Sequence, residues 1–195
     1  MPELQAPDVL GCAALCGRSP EESANGWVYA AAALDYLFFT TMEEAFGARI
    51  AHQVYSKVWE KLALGGLDSK LEALNLKGKP IGIRELGLIS KEYWKVIDCP
   101  YEVVEETDDI HIGEITRCPY WDCMHTMYGY ENASDMIKKG MGATTANYYQ
   151  AIVKALGKWN EIYATMDRCI CLGDERCRVI FKKREQADVD TPLIF

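Results

Sequence analysis

IYATMDRCICLGDERCRVIFKK, residues 162–183, is the stretch on which the fold turns. Two β-like runs, Ile162–Cys171 and Arg176–Lys183, flank a Gly173-Asp174 turn. Gly173 lies halfway between Cys169 and Cys177, so a hairpin centred there makes those two cysteines direct cross-strand partners. Opposed residues on one face hold their Cβ atoms roughly 4.5–5.5 Å apart. Two thiolates at that separation can share one Zn2+ through bonds of about 2.3 Å. Cys171, two residues from Cys169, falls on the same strand face, nearer the turn.

A second hairpin precedes this one. Tyr101–Glu106 alternates, Thr107-Asp108-Asp109 turns the chain, and Ile110–Arg117 is the return strand. Cys118-Pro119 closes it, because the residue before a proline prefers extended geometry and proline cannot donate to a ladder. Between the hairpins, residues 133–141 and 146–159 carry a helical period, the latter with Tyr148, Ile152, Ala155 and Trp159 on one stripe. The N-terminal half is helical. Trp27, Ala31, Leu34, Phe38 and Met42 step by three and four after an Asn25 N-cap. Ile50, Val54, Val58 and Leu62 form a second stripe that Gly65-Gly66 ends. His52 flanks that stripe and reads as structural. Shorter helices are expected from Asp68 and over Ser90–Ile97. The expected fold is α+β, with N-terminal helices packed on a four-stranded antiparallel sheet in the order ββ-αα-ββ. Residues 1–24 read as an arm and 25–185 as one domain, helical over 25–98 and sheet-bearing over 99–185. Residues 186–195 read as a tail.

The 195 residues carry a net charge of −8, with 49% apolar and 26% charged residues. That mix is globular. The acidic balance and scattered Lys and Arg argue against a nucleic-acid partner, since phosphate binding needs clustered cations. The most apolar stretch, Trp27 to Thr41, is broken by Asp35 and too short to span a bilayer, so no membrane partner is expected. The first residues lack a basic region before their short apolar run, so a signal peptide is not expected and the cytoplasm is the expected location. A small-molecule ligand or substrate is the expected partner, with a homo-oligomer left open.

Eight cysteines in a reducing compartment favour metal binding or chemistry where they cluster. Core filler and a cross-strand disulfide are the competing readings of Cys169 and Cys177. The hairpin alone cannot complete a tetrahedral site. Cys118-Pro-Tyr-Trp-Asp-Cys123-Met-His125 supplies two more thiols and an imidazole within eight residues. The expected metal ligands are therefore Cys169, Cys177, Cys118 and Cys123, around Zn2+. Asp122 and Asp167 are oxygen alternatives or groups that orient a ligand. Cys12 and Cys16, four apart, make a poor site by themselves, and Cys99 and Cys171 read as weaker candidates. Iron–sulfur ligation is disfavoured because the spacings do not match compact ferredoxin runs.

Cys169-x-x-x-Gly173-Asp174-x-x-Cys177 followed by an apolar run with Phe181 resembles the signature of 4-vinyl reductase-like domains. These also form the sensor part of phenol-responsive transcription activators. The resemblance implies a zinc ion held by the two cysteines beneath a buried small-molecule pocket. A Glu three residues before the first Cys completes that site in the family. Met166 stands there in this chain, so Asp167 or the Cys118–His125 segment would take its place. The run from Tyr101 to Asp109, then Arg117-Cys118-Pro119-Tyr120, then Gly173-Asp174-x-x-Cys177, is similar to the L-2-amino-thiazoline-4-carboxylic acid hydrolase-like family. Phe46-Gly47-x-x-Ile50-Ala51 fits that family too, and the resemblance extends over residues 27 to 183.

The resemblance implies a hydrolase opening a C=N or C–N bond of a small cyclic metabolite. Cys118 and His125 are the expected catalytic residues, with Asp122 relaying protons. A non-catalytic binding module with structural zinc is the other reading, its pocket lined by aromatics such as Trp27, Tyr128 and Trp121.

Overall fold

The computed structural model describes residues 20–139, 144–185 and 188, with side chains described from residue 26. Cys12 and Cys16 lie outside the described residues, as does most of the expected arm and tail. Helix α1 (Pro20–Phe46) begins ahead of the expected Asn25 cap, and Asn25 sits inside it. A left-handed Gly47 (φ 84°) breaks it from α2 (Ala48–Gly65). Helix α3 (Leu67–Ala73) is short. Helix α4 (Ile83–Val96) starts seven residues earlier than the sequence pattern placed it. The reason is local: the Gly82 N–H donates to Glu85 Oε2 at 2.8 Å, which fixes a helix start there. Ile83, Leu86, Ile89, Tyr93 and Trp94 then form the buried stripe of α4.

Strands β1 (Tyr101–Glu106) and β2 (Ile110–Ile115) form the first hairpin, and β3 (Ile162–Arg168) and β4 (Cys177–Lys183) form the last. All neighbours in the sheet are antiparallel, in the order β1-β2-β4-β3. Helices α5 (Pro119–Tyr128), α6 (Tyr130–Lys138) and α7 (Thr144–Ala155) lie between the hairpins. The order is thus ββ-ααα-ββ, not the expected ββ-αα-ββ. The missed helix is α5, whose start carries two signals. Pro119 stands at its first position and Cys118 Sγ caps it, accepting from the Trp121 N–H at 3.4 Å.

Helices α4 and α7 pack on the sheet, α2 packs on α7, and α1 lies against α2 and α5. The core between these layers holds Leu86, Ile89, Tyr149, Ile152, Val179 and Phe181, all essentially removed from water. Buried hydroxyls are answered within it: Ser90 Oγ and Tyr149 OH meet at 2.8 Å. His111, 1% exposed on β2, is gripped from both sides. Tyr101 OH meets its Nε2 at 2.8 Å and Glu106 Oε2 meets its Nδ1 at 3.1 Å. Gly87 of α4 lets this ring approach, since a Cβ there would overlap it.

Candidate functional site

The strand order builds the site. In the antiparallel order β1-β2-β4-β3, the start of β1, the end of β2, the start of β4 and the end of β3 share one end of the sheet. A cysteine stands at each of these four points. Cys99 lies two residues before β1, Cys118 three residues after β2, Cys177 opens β4, and Cys169 follows β3.

Cys169 and Cys177 occupy the rung beyond the last β3–β4 pair, Arg168↔Arg178. A bulge at Asp167 sets that register, which is symmetric about Gly173. The connection is not a tight β-turn between long strands. Strand β3 ends at Arg168, residues Ile170–Leu172 form a 3-10 turn, and Gly173 takes a left-handed φ of 103°. Cys171 therefore leaves the strand and points back toward Cys118 and Cys169, with which it hydrogen-bonds. The Cys169 N–H donates to Asp174 Oδ2 at 2.7 Å, and the Ile170 N–H donates to Cys177 Sγ at 3.2 Å.

Five thiols are linked by hydrogen bonds in a chain: Cys99 with Cys118, Cys118 with Cys171, Cys171 with Cys169, and Cys169 with Cys177. Two of them are pulled toward thiolates. Hydrogen bonds from Cys171 and Cys177 bring Cys169 down to about 4. Those from Cys171 and Cys99, with the Trp121 N–H, hold Cys118 well below the usual thiol range. Their donors, Cys99, Cys171 and Cys177, are pushed up because they keep the shared protons. The six described cysteines are free, so the disulfide alternative for Cys169 and Cys177 is not the state seen. Among the described residues no group of three or more His, Cys, Asp or Glu side chains is placed to hold a metal ion as it stands.

The cluster opens onto a cavity of about 690 Å³. Cys118, Cys169, Cys171 and Cys177 line one side, with Met166 beside them. Val58, Leu62, Trp94, Val96, Ile97 and Ile137 make much of the apolar wall. Asp35 and Tyr120 also face it, and Tyr120 OH donates to Asp35 Oδ2 at 2.6 Å. Burial raises the Asp35 carboxyl above its ordinary value, against the opposing pull of the Tyr120 and Tyr55 hydroxyls. Lys61 and Lys70 reach the cavity from α2 and α3, and burial lowers the Lys70 ammonium.

Of the residues singled out from sequence, Cys118, Cys169 and Cys177 come together on the cavity wall. Cys123 is outside the hydrogen-bonded thiol chain and does not line the cavity; burial and Asp122 raise it. Asp122 is exposed beside Arg117 at 3.4 Å and His125 at 3.8 Å. His125, half-exposed, tilts against Trp121, and neither faces the cavity. Helix formation explains this. The rise of α5 sets His125 about 10 Å along the axis from its capping Cys118, and the turn of the helix points Cys123 to another side, so the eight-residue segment does not act as one ligand cluster. Trp27 is 71% exposed on α1. Tyr128 stacks on Tyr36 with ring centroids 3.7 Å apart and lies off the cavity. Sequence reasoning underweighted Cys99 and Cys171 and missed Asp35. Cys99 did carry a signal: it precedes a strand at the same end of the sheet as the other thiols.

No family model matches the chain, and no curated protein matches it. Among solved structures it is similar to the phenol-responsive sensory domain of the transcription activator PoxR with phenol. The identity is 15% and the TM-score 0.47, over 82% of this chain and 75% of that one.

Proposed function

We propose that the protein binds a small, largely apolar molecule in this cavity, beside a cysteine cluster that holds zinc. The observation that carries the reading is the cavity itself: about 690 Å³, mostly apolar, with a few polar groups facing inward. Small-molecule sites span about 300–1,000 Å³ and share that composition. Trp94 lines the cavity, and its buried indole N–H has no partner among the described residues. A ligand acceptor would satisfy that donor.

The donor set suits zinc in kind, since closely packed thiols with two depressed members are its preferred soft ligands. Cys118, Cys169 and Cys177 would hold it, with Cys99 or Cys171 as the fourth ligand after side-chain rotation. Bound there, zinc would supply folding energy by tying the strand ends together.

A hydrolytic reading has one observation in its favour: the depressed Cys169 thiol and the Asp35 carboxyl face the same cavity. In a zinc-free site the Cys169 thiolate would add to the carbon of an amide-like C–N bond, Asp35 would give a proton to the nitrogen that departs as that bond breaks, and water would then hydrolyse the thioester and restore the thiol. His125 has no part in it.

Isothermal titration with naphthylmethanol tests the binding reading. Wild type is expected to bind, and Ala31→Trp, which adds bulk at the cavity wall, is expected to bind more weakly. Absence of binding by wild type, or equal binding by the two proteins, would defeat it.

A further inference from the structure

Asp35 is the carboxylate that lines the cavity, and it projects from the middle of α1 into a mostly apolar wall. Its Oδ2 accepts from Tyr120 OH at 2.6 Å. The same hydroxyl lies 3.4 Å from Tyr55 OH, which also hydrogen-bonds Asp35. Tyr55 is fully buried and packs edge-on against Phe39, so the chain of hydroxyls is braced from behind. Among the described residues the donors to Asp35 are hydroxyls, and no cationic side chain offsets its burial. Lys61 and Lys70 also face the cavity, but from α2 and α3, and neither pairs with Asp35. A carboxylate in apolar surroundings without a cation is costly, and a bound cation would relieve that cost.

We propose that Asp35, held in place by Tyr120 and Tyr55, anchors the basic nitrogen of a small apolar amine, whose carbon body lies on the aliphatic and aromatic wall. The proposal rests on the reading of the cavity as a ligand site. The ammonium N–H donates to the carboxylate, while Tyr120 serves as a positioning residue that fixes the carboxylate's direction. The geometry favours a nitrogen base over an alcohol because only the former supplies the missing positive charge.

Isothermal titration at pH 7 with three probes of one shape decides it: naphthylmethylamine, naphthylmethanol and naphthylacetate, on wild type, Asp35→Asn and Lys70→Met. Charged hydrogen bonds predict that wild type binds the amine about tenfold more tightly than the alcohol. Asp35→Asn is expected to level the two, with an unchanged far-UV circular dichroism spectrum showing that the variant is folded. The idea is overturned if wild type binds amine and alcohol alike, or if Asp35→Asn keeps the preference. Tightest binding by naphthylacetate, lost in Lys70→Met, would overturn it in favour of an acidic ligand. If none of the probes binds wild type, the cavity reading falls and takes this proposal with it.

Discussion

The backbone N–H of Ile170 donates to the sulfur of Cys177 at 3.2 Å, across the turn that also sets Cys169 beside it. The loop is thus folded around sulfur as an acceptor; this bond pulls the Cys177 thiol down, against the larger upward effect of its bond to Cys169. Anaerobically purified protein should contain stoichiometric zinc by elemental analysis. Cys169→Ser and Cys177→Ser should lose most of it, whereas Cys123→Ser should retain it. Equal metal in wild type and Cys169→Ser, or loss in Cys123→Ser alone, would point to a different ligand set.

The same turn depends on Asp174, whose Oδ2 accepts the Cys169 N–H at 2.7 Å. Replacing Asp174 with Ala leaves that partly buried N–H without its acceptor. A loss of about 1 kcal/mol in urea unfolding is expected, with Asp174→Asn losing less. An unchanged midpoint for Asp174→Ala would show that the turn does not need this bond.

Asp35 gives stability a pH dependence of definite sign. Its folded carboxyl sits above its ordinary value near 3.8, because burial disfavours the charged form. Its contribution is therefore complete below about pH 4 and is lost as pH rises through the folded value. Asp35→Asn, neutral at every pH and still able to accept from Tyr120, should melt higher than wild type at pH 7. The gap should narrow toward pH 4. A gap that widens on acidification would contradict the assignment.

Gly87 of α4 and His111 of β2 approach so closely that a Cβ at Gly87 would overlap the ring. The ring cannot withdraw, because Tyr101 and Glu106 hold both its nitrogens. Gly87→Ala is expected to cost about 2 kcal/mol in chemical denaturation. Gly65→Ala, at a helical position with open space around it, serves as the control and should be neutral or stabilising. Similar behaviour of the two variants would mean that the contact is not tight.

The α+β class, the four strands and the equal spacing of Cys169 and Cys177 about Gly173 are legible in the chain. Period-two runs, a Gly173 turn and equal spacing are local properties of the chain, and local properties are legible one segment at a time. The sequence also carried the start of α5, in Pro119 behind a cysteine that can cap. What the tertiary structure decided was the order β1-β2-β4-β3. Pairing between strands some seventy residues apart in the chain cannot be read from either segment alone, yet that pairing sets Ile115 opposite Cys177 and so brings Cys99 and Cys118 to the hairpin's thiols. Asp35 was invisible for the same reason. In the sequence it is a charge interrupting an apolar helix; only the packing of α1 against α5 gives it Tyr120 as a donor and turns it into the carboxylate of a cavity.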